Sequence, residues 1–195
     1  MNDVVVLRAA ERRAQPWKNG GGTTAEVYVH PPGSGYDDFE WRVSIADVAA
    51  AGPFSRFPGV DRILTVLDGE LALTFEDADS RRVLTARSDP YGFAGDLPCH
   101  GEPLTGTVRD LNVMMRRAKW SARVERLRAG RGLEELRHDA GPTVLVAGSP
   151  LRMEVQGRVW MLAPMDAVLL TNGSAVSLGM HRVRDWAICT RLTPR

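Results

Sequence analysis

The chain has 195 residues, with 25 Lys and Arg against 24 Asp and Glu, and 44% of it is hydrophobic. That size suits one large β domain or two packed halves with a buried core, and the balanced charge argues against general affinity for nucleic acid or an anionic membrane. No run approaches the ~20 apolar residues of a spanning helix, no leader-like apolar stretch follows the opening Met-Asn-Asp, and two distant cysteines, Cys99 and Cys189, read as free thiols in a reducing cytoplasm.

In chain order, short apolar runs broken by Gly, Pro, Asp and Asn predict strands at 4–7, 25–29, 41–45, 63–67, 70–75, 82–85 and 111–115. Further runs predict strands at 143–147, 151–155, 159–162, 167–170, 175–178 and 186–192. Many short strands with regular turn signals point to a sandwich or barrel. Residues 46–51 carry a short helical pattern stopped by Gly52-Pro53, and 126–137 a second one weakened by Gly130 and Gly132. The basic clusters at 116–119 and 123–137 read as solvated faces.

A weak internal repeat adds organisation. Residues 66–73 lead into 83–89, and 146–153 lead into 159–166; each copy is strand, Gly turn, strand, connection, strand, then a turn ending in Asp. Two copies suggest two β halves. The second copy aims fewer polar groups inward and reads as the supporting half.

Five segments carry the polar chemistry. Residues 17–26 read Trp-Lys-Asn-Gly-Gly-Gly-Thr-Thr-Ala-Glu. Three glycines permit positive φ and close approach, so the loop either offers N–H donors to an anion beside Lys18 and Asn19 or turns a corner between strands. It lacks the order of a phosphate-binding loop. In 41–46, alternation puts Trp41, Val43 and Ile45 on one face, and Arg42 and Ser44 on the other. Pointing inward, Arg42 and Ser44 form a carboxylate-binding pair, a planar fork beside a hydroxyl; pointing outward, they are a solvated face.

Residues 52–62 wrap Phe54 and Phe57 between two proline turns. The strand and Gly turn that follow have the shape of the first cupin motif, where metal-binding cupins place two histidines and a glutamate. Here the strand reads Asp61-Arg62-Ile63-Leu64-Thr65, and no histidine occurs between His30 and His100, so that ligand set is absent and no metal is expected. Arg62 is either a fixed positive charge in place of a metal ligand or an ion-pair partner of Asp61 or Glu70. Residues 91–101 have the Gly, Pro and His content of the second cupin motif. His100 stands alone there, and Asp96 could position a ligand amine or anchor Arg62. In 109–117, Asp110, Asn112 and Met114 share one side. Asn112 suits a ligand carbonyl or amide, or is an edge-strand residue. His30, His138, His181 and Cys189 show no evident catalytic partners, and no nucleophile or acid–base dyad is supported by spacing.

Segments 17–26, 41–46, 52–62, 93–96 and 110–114 resemble, in order, those of the HutD/Ves family; the resemblance spans 17–117, and the tail matches only in β character. It implies an all-β, double-stranded β-helix (cupin or jelly-roll) chain with two cupin-like halves, a bicupin. The N-terminal barrel with the pocket would occupy 1–117, and a crossover with a degenerate half 118–195. In bacteria such proteins are encoded with histidine-utilisation enzymes and are thought to modulate that pathway by binding an anionic intermediate, formylglutamate or urocanate. Another branch is linked to stress or cold response. The expected protein is a non-enzymatic binder of a small anionic ligand, with no catalytic residue and no cofactor. Arg42 and Arg62 would hold the carboxylate, Ser44, Asn112 and Asp96 would read its other polar groups, and Lys18 and Asn19 would close the mouth. The competing expectation is a metal-independent isomerase or hydrolase using His100 or Asp96. Exposed cupin strands often pair across a dimer, so a homodimer is also an expectation.

Overall fold

Period-two alternation and frequent turn residues commit this chain to strands, and the computed structural model shows them across the described residues: 4–76, 80–129, 132–136, 141–171, 175–180 and 182–195. His138 and His181 lie outside these. The elements run β1 (Val4–Leu7), a 3-10 turn (Ala9–Glu11), β2 (Ala14–Pro16), β3 (Gly22–His30), β4 (Trp41–Val48), β5 (Gly52–Pro53), β6 (Val60–Asp68), β7 (Glu70–Phe75), β8 (Ser80–Thr85), β9 (Tyr91–Ala94), β10 (Cys99–Pro103) and β11 (Val108–Arg116). There follow β12 (Trp120–Arg128), β13 (Gly132–Leu136), β14 (Thr143–Ala147), β15 (Leu151–Val155), β16 (Arg158–Leu162), β17 (Ala167–Leu170), β18 (Val176–Met180) and β19 (Trp186–Pro194).

The chain divides into two compact units. One takes Arg12–Ser121; the other takes the segment ending at Glu11 together with Ala122–Pro194. The expected boundary put the first strand in the N-terminal half. The structure puts it in the other unit, because β1 pairs antiparallel with β17, Val4 opposite Leu170.

In the Arg12–Ser121 unit a six-stranded sheet, β2-β3-β4-β11-β6-β9, accompanies a four-stranded sheet, β5-β10-β7-β8. Leu64, Val66, Val48 and Val108 of the first pack with Leu71, Leu73, Phe75 and Cys99 of the second. Each such buried aliphatic side chain contributes about 1.5–3 kcal/mol. Gly69, at φ +82°, makes the turn between β6 and β7, where a Cβ would be strained and would crowd the Val108 and Thr105 side chains at 3.0 and 3.1 Å.

The second unit pairs a five-stranded sheet, β1-β17-β14-β19-β12, with a four-stranded one, β13-β18-β15-β16. Its hydrophobic core runs from Leu145, Leu151 and Met153 to Val168, Leu178 and Cys189, with Thr143 and Thr190 buried on the same strands. Both copies of the sequence repeat become hairpins: β7 with β8, and β15 with β16.

Both helical expectations are overturned. Residues 46–48 continue β4, since Ala46 pairs with Thr24 on one side and Asp110 on the other. Residues 126–128 end β12, and 132–136 form β13. In each case ladder pairing outweighs a weak local propensity.

Candidate functional site

The registers of the six-stranded sheet define which side chains share its inner face. Glu26, Ser44, Asn112, Leu64 and Tyr91 lie in one row across five strands. The next row runs Val29, Arg42, Met114, Arg62 and Phe93. A third runs Thr24, Ala46, Asp110 and Val66. This face is the inner one because Leu64, Val66, Tyr91 and Phe93 belong to the core shared with Leu71, Leu73 and Phe75. Arg42, Ser44, Arg62, Asp110 and Asn112 are therefore polar groups of the interior, exposed by only 8%, 1%, 7%, 2% and 8%. The inward orientation of Arg42 and Ser44 thus prevails, and Asn112 lies on a central strand rather than an edge.

Arg62 is the most unusual of these groups. Its guanidinium carbon lies 5.3 Å from the ring centre of Phe54, 6.0 Å from Phe57 and 5.1 Å from Phe93. Cation–π attraction offsets part of its desolvation. Its Nε donates to Asn112 Oδ1 and one Nη to the Ser55 carbonyl, both at 3.4 Å. Among the described residues no carboxylate lies within 4.0 Å of it. Neither expected ion-pair partner is used: Asp61 accepts from Arg117 Nε at 2.7 Å, and no bond joins Glu70 to Arg62. Burial pushes the Arg62 pKa below its ordinary value, against the opposing pull of Asp110. Phe54 holds its place because Gly101, on the inner face of β10, has no Cβ; one there would come within 2.5 Å of the ring.

Arg42 is engaged differently. Its Nε donates to Glu26 Oε2 at 3.0 Å, an Nη reaches Ser44 Oγ at 3.5 Å, and its guanidinium lies 4.8 Å from the Tyr36 ring centre. It lines a cavity of about 230 Å³ with Arg13, Thr24, Glu26, Ser34 and Tyr36. At roughly 30 Å³ per water, that volume holds a small metabolite. Tyr36 also stacks on Phe57 at 5.8 Å, so one aromatic pair connects the surroundings of the two arginines.

The remaining expected site residues are not brought to this face. Asp96 does not anchor Arg62. Its Oδ2 accepts from Arg117 at 2.6 Å and its Oδ1 from the Gly59 N–H at 2.9 Å, which holds its pKa below the usual carboxylate range. Lys18 is exposed. Asn19 is exposed too, and its Oδ1 accepts from the Gly21 N–H at 3.0 Å. The glycine loop is a corner: Gly20 N–H bonds Trp17, and the Gly21 carbonyl accepts from Ala49 and Ala50. Gly22 sits against the β4 backbone, where a Cβ would lie 2.4 Å from the Asp47 carbonyl. His100 is exposed, on the side of β10 opposite the inward Cys99 and Gly101.

The basic run at 116–119 is not merely solvated. Arg116 donates to the carbonyls of Asp37, Phe39 and Pro58. Arg117 bridges Asp61 and Asp96, and Lys119 pairs with Glu40. These contacts fasten the loops that carry Tyr36 and Phe57.

Sequence reasoning missed Asp110 as a site residue. It is 2% exposed, and no hydrogen bond to its carboxylate forms among the described residues. Burial raises its pKa to about 7, opposed by Arg62 and reinforced by Asp47. The signal was available: Asp110 alternates in phase with Asn112, on a strand whose opposite side is Leu111, Val113 and Met115. A charge on a strand with both sides buried is itself buried.

As a metal site this face is a poor fit. Two guanidinium groups repel a cation, and among the described residues no group of three or more His, Cys, Asp or Glu is placed to hold one. Both cysteines are free and buried, and burial raises each thiol to about 11.

Comparison with known proteins extends this picture. The HutD family profile matches residues 9–187. A Pseudomonas putida protein described as an uncharacterized 21.2 kDa protein in the hutC 3' region is 36% identical over 183 residues, 93% of each chain. Protein Ves of Escherichia fergusonii is 31% identical over 170 residues, 86% of this chain and 80% of its own. The solved structure of HutD from Pseudomonas fluorescens SBW25 (formate condition) superposes with a TM-score of 0.82 at 28% identity, covering 98% of this chain and 99% of that one. A cupin 2 conserved barrel domain protein from Leptotrichia buccalis shares the fold alone, at 8% identity and a TM-score of 0.58, over 94% of this chain and 92% of its own.

Proposed function

The chain belongs to the HutD family, a histidine-utilisation-related group of cupin fold, and on that premise we propose that it is a non-enzymatic, cytoplasmic receptor for a small anionic intermediate of histidine breakdown. Formylglutamate and urocanate are the candidate ligands. Binding at the inner face of the Arg12–Ser121 unit would report pathway flux and so modulate it. One observation carries this reading. Arg62 is 7% exposed and has no carboxylate within 4.0 Å among the described residues. A buried guanidinium without an anion is costly, and a ligand carboxylate removes that cost. Arg42 and Ser44 supply a second cationic corner beside the cavity, and Asn112 an amide between the two arginines.

Binding is favoured over catalysis because neither acid–base candidate taken from the sequence faces the arginines. Asp96 is spent on Arg117 and Gly59, and His100 lies on the outer side of β10. The test is a thermal-shift titration with urocanate and with formylglutamate. The parent protein should be stabilised by one of them, by about 2.7 kcal/mol at a hundred times Kd. Arg62→Ala should abolish that shift. An unchanged shift in the variant overturns the assignment, and turnover of either compound overturns the non-enzymatic reading.

A further inference from the structure

Arg62 and Asp110 occupy the same inner face of the sheet, yet they do not form an ion pair. Asp110 lies four positions from Met114, which is the residue opposite Arg62. Four residues of β-strand span about 13 Å, and Asn112 stands midway. The arginine reaches along the strands as far as Asn112, where its Nε donates at 3.4 Å. Asp110 lies beyond that contact, 2% exposed, and its carboxylate accepts no hydrogen bond among the described residues.

A buried guanidinium and a buried carboxyl group that stop short of each other leave unmet demand at both ends. The arginine asks for an anion, the aspartate for an N–H donor. Water is a poor substitute at the arginine end, where Phe54, Phe57 and Phe93 surround the guanidinium. We propose that Asp110 is a second anchor of the binding site, and that the site selects ligands carrying both an anionic group, held by Arg62, and an N–H donor, held by Asp110. The ligand class is a nitrogen-bearing carboxylate rather than a simple organic acid. This rests on the anion reading of Arg62 and narrows it. The amide of Asn112 serves both ends: its Oδ1 accepts from Arg62, and its Nδ2 remains a donor for the middle of the ligand. The near-neutral titration of Asp110 is in keeping with this, since a buried carboxylate beside Arg62 would ionise fully once a donor reached it.

The test uses the full chain and a matched pair of probes: urocanate, a planar ring with N–H groups and a carboxylate, and trans-cinnamate, the same carboxylate on a ring without nitrogen. Affinities are measured by calorimetry at one pH for the parent protein, Asp110→Asn and Arg62→Ala. Melting curves confirm that each variant is folded, and the ratio of urocanate to cinnamate affinity, rather than either affinity alone, is the readout. The parent should prefer urocanate by about tenfold or more, the worth of a hydrogen bond to a charged group. Asp110→Asn keeps only a neutral amide acceptor and should lose most of that preference, read as the ratio of the two affinities. Arg62→Ala should lose both. A parent-like preference that persists in Asp110→Asn overturns this inference and leaves the anion reading standing. Full binding of both probes by Arg62→Ala overturns the anion reading. No heat from either probe with the parent protein at millimolar concentration overturns both.

Discussion

The two units of this chain use the same strand grammar to opposite ends. In the unit made by β1 and Ala122–Pro194, the interior is Leu, Val, Ala and Met. Two of its buried polar residues are taken up by turns: Asp166 accepts from the Ala9 and Ala163 N–H groups and from Arg8, and Asp185 accepts from the Arg182 N–H. In the Arg12–Ser121 unit, Arg42, Ser44, Arg62, Asp110 and Asn112 are buried in positions that equally suit aliphatic side chains. The apolar unit shows the same kind of strand pair closed around hydrophobic side chains. The polar interior of the other unit is therefore a cost that needs a function to explain it.

The largest expected effect separates stability from binding. Leu145 is fully buried, and Leu145→Ala should lower unfolding free energy by about 2–5 kcal/mol while leaving ligand affinity at low temperature intact. Arg62→Leu should do the reverse. Replacing a desolvated charge that has no ion-pair partner with a hydrophobe removes its desolvation cost, so stability should be unchanged or higher, while binding should vanish. Denaturant unfolding and calorimetry on the two variants check both halves. A strongly destabilised Arg62→Leu protein would show that the arginine is structural, and the contrast between the units would fail.

A smaller effect is carried by pH. The pKa of Asp110 is raised from 3.8 to about 7 in the folded protein. Between those values the folded state holds a proton that the unfolded state has released. Stability contributed by Asp110 is therefore complete below about pH 4 and is lost as pH rises to about 7, a fall of at most about 4 kcal/mol. Asp110→Asn removes the fall. Its stability relative to the parent should rise across that window and level off above it. Glu40 and Asp96, bonded to Lys119 and Arg117, have lowered pKa values; their contribution is present above the usual carboxylate range and lost as pH falls below it. Both proteins share that term, so the difference between them reports Asp110. A difference that does not change with pH would mean that the carboxylate is ionised throughout.

Much of this architecture is legible in the amino-acid pattern itself. Strands at 70–75, 143–147, 151–155 and 167–170 have the same limits in sequence and structure, because turn-forming residues such as Gly69, Gly148, Pro150 and Gly157 bound them. Pairing created what the pattern lacked. The short strands β2 and β5 exist only through β3 and β10, and β12, with three arginines and a glutamate among its nine residues, is a strand because it lies beside β19. At the site, alternation put Arg42 with Ser44 and Asp110 with Asn112. It could not say which side was inside, since that depends on a four-stranded sheet built from residues 52–103. Asp96 misled for a related reason: its partners Gly59 and Arg117 reach it only in space.

Asp96 supplies the smallest and most discriminating variant. It belongs to the polar unit, yet its bonds are those of a clamp, like Asp166 in the apolar one. Asp96→Ala removes one of the two carboxylates on Arg117 and frees the Gly59 N–H. Both losses occur at a half-exposed site, where water replaces the lost partners and salt already weakens the pair. The melting temperature should drop by less than about 4 °C. Affinity for urocanate or formylglutamate should stay within about twofold of the parent, since Asp96 faces neither arginine of the inner face. A large loss of affinity with little change in melting would place Asp96 among the ligand contacts after all. It would also mean that polar groups of the Arg12–Ser121 unit serve the ligand from outside its inner face, and that the distinction between the two units lies in their loops as much as in their cores.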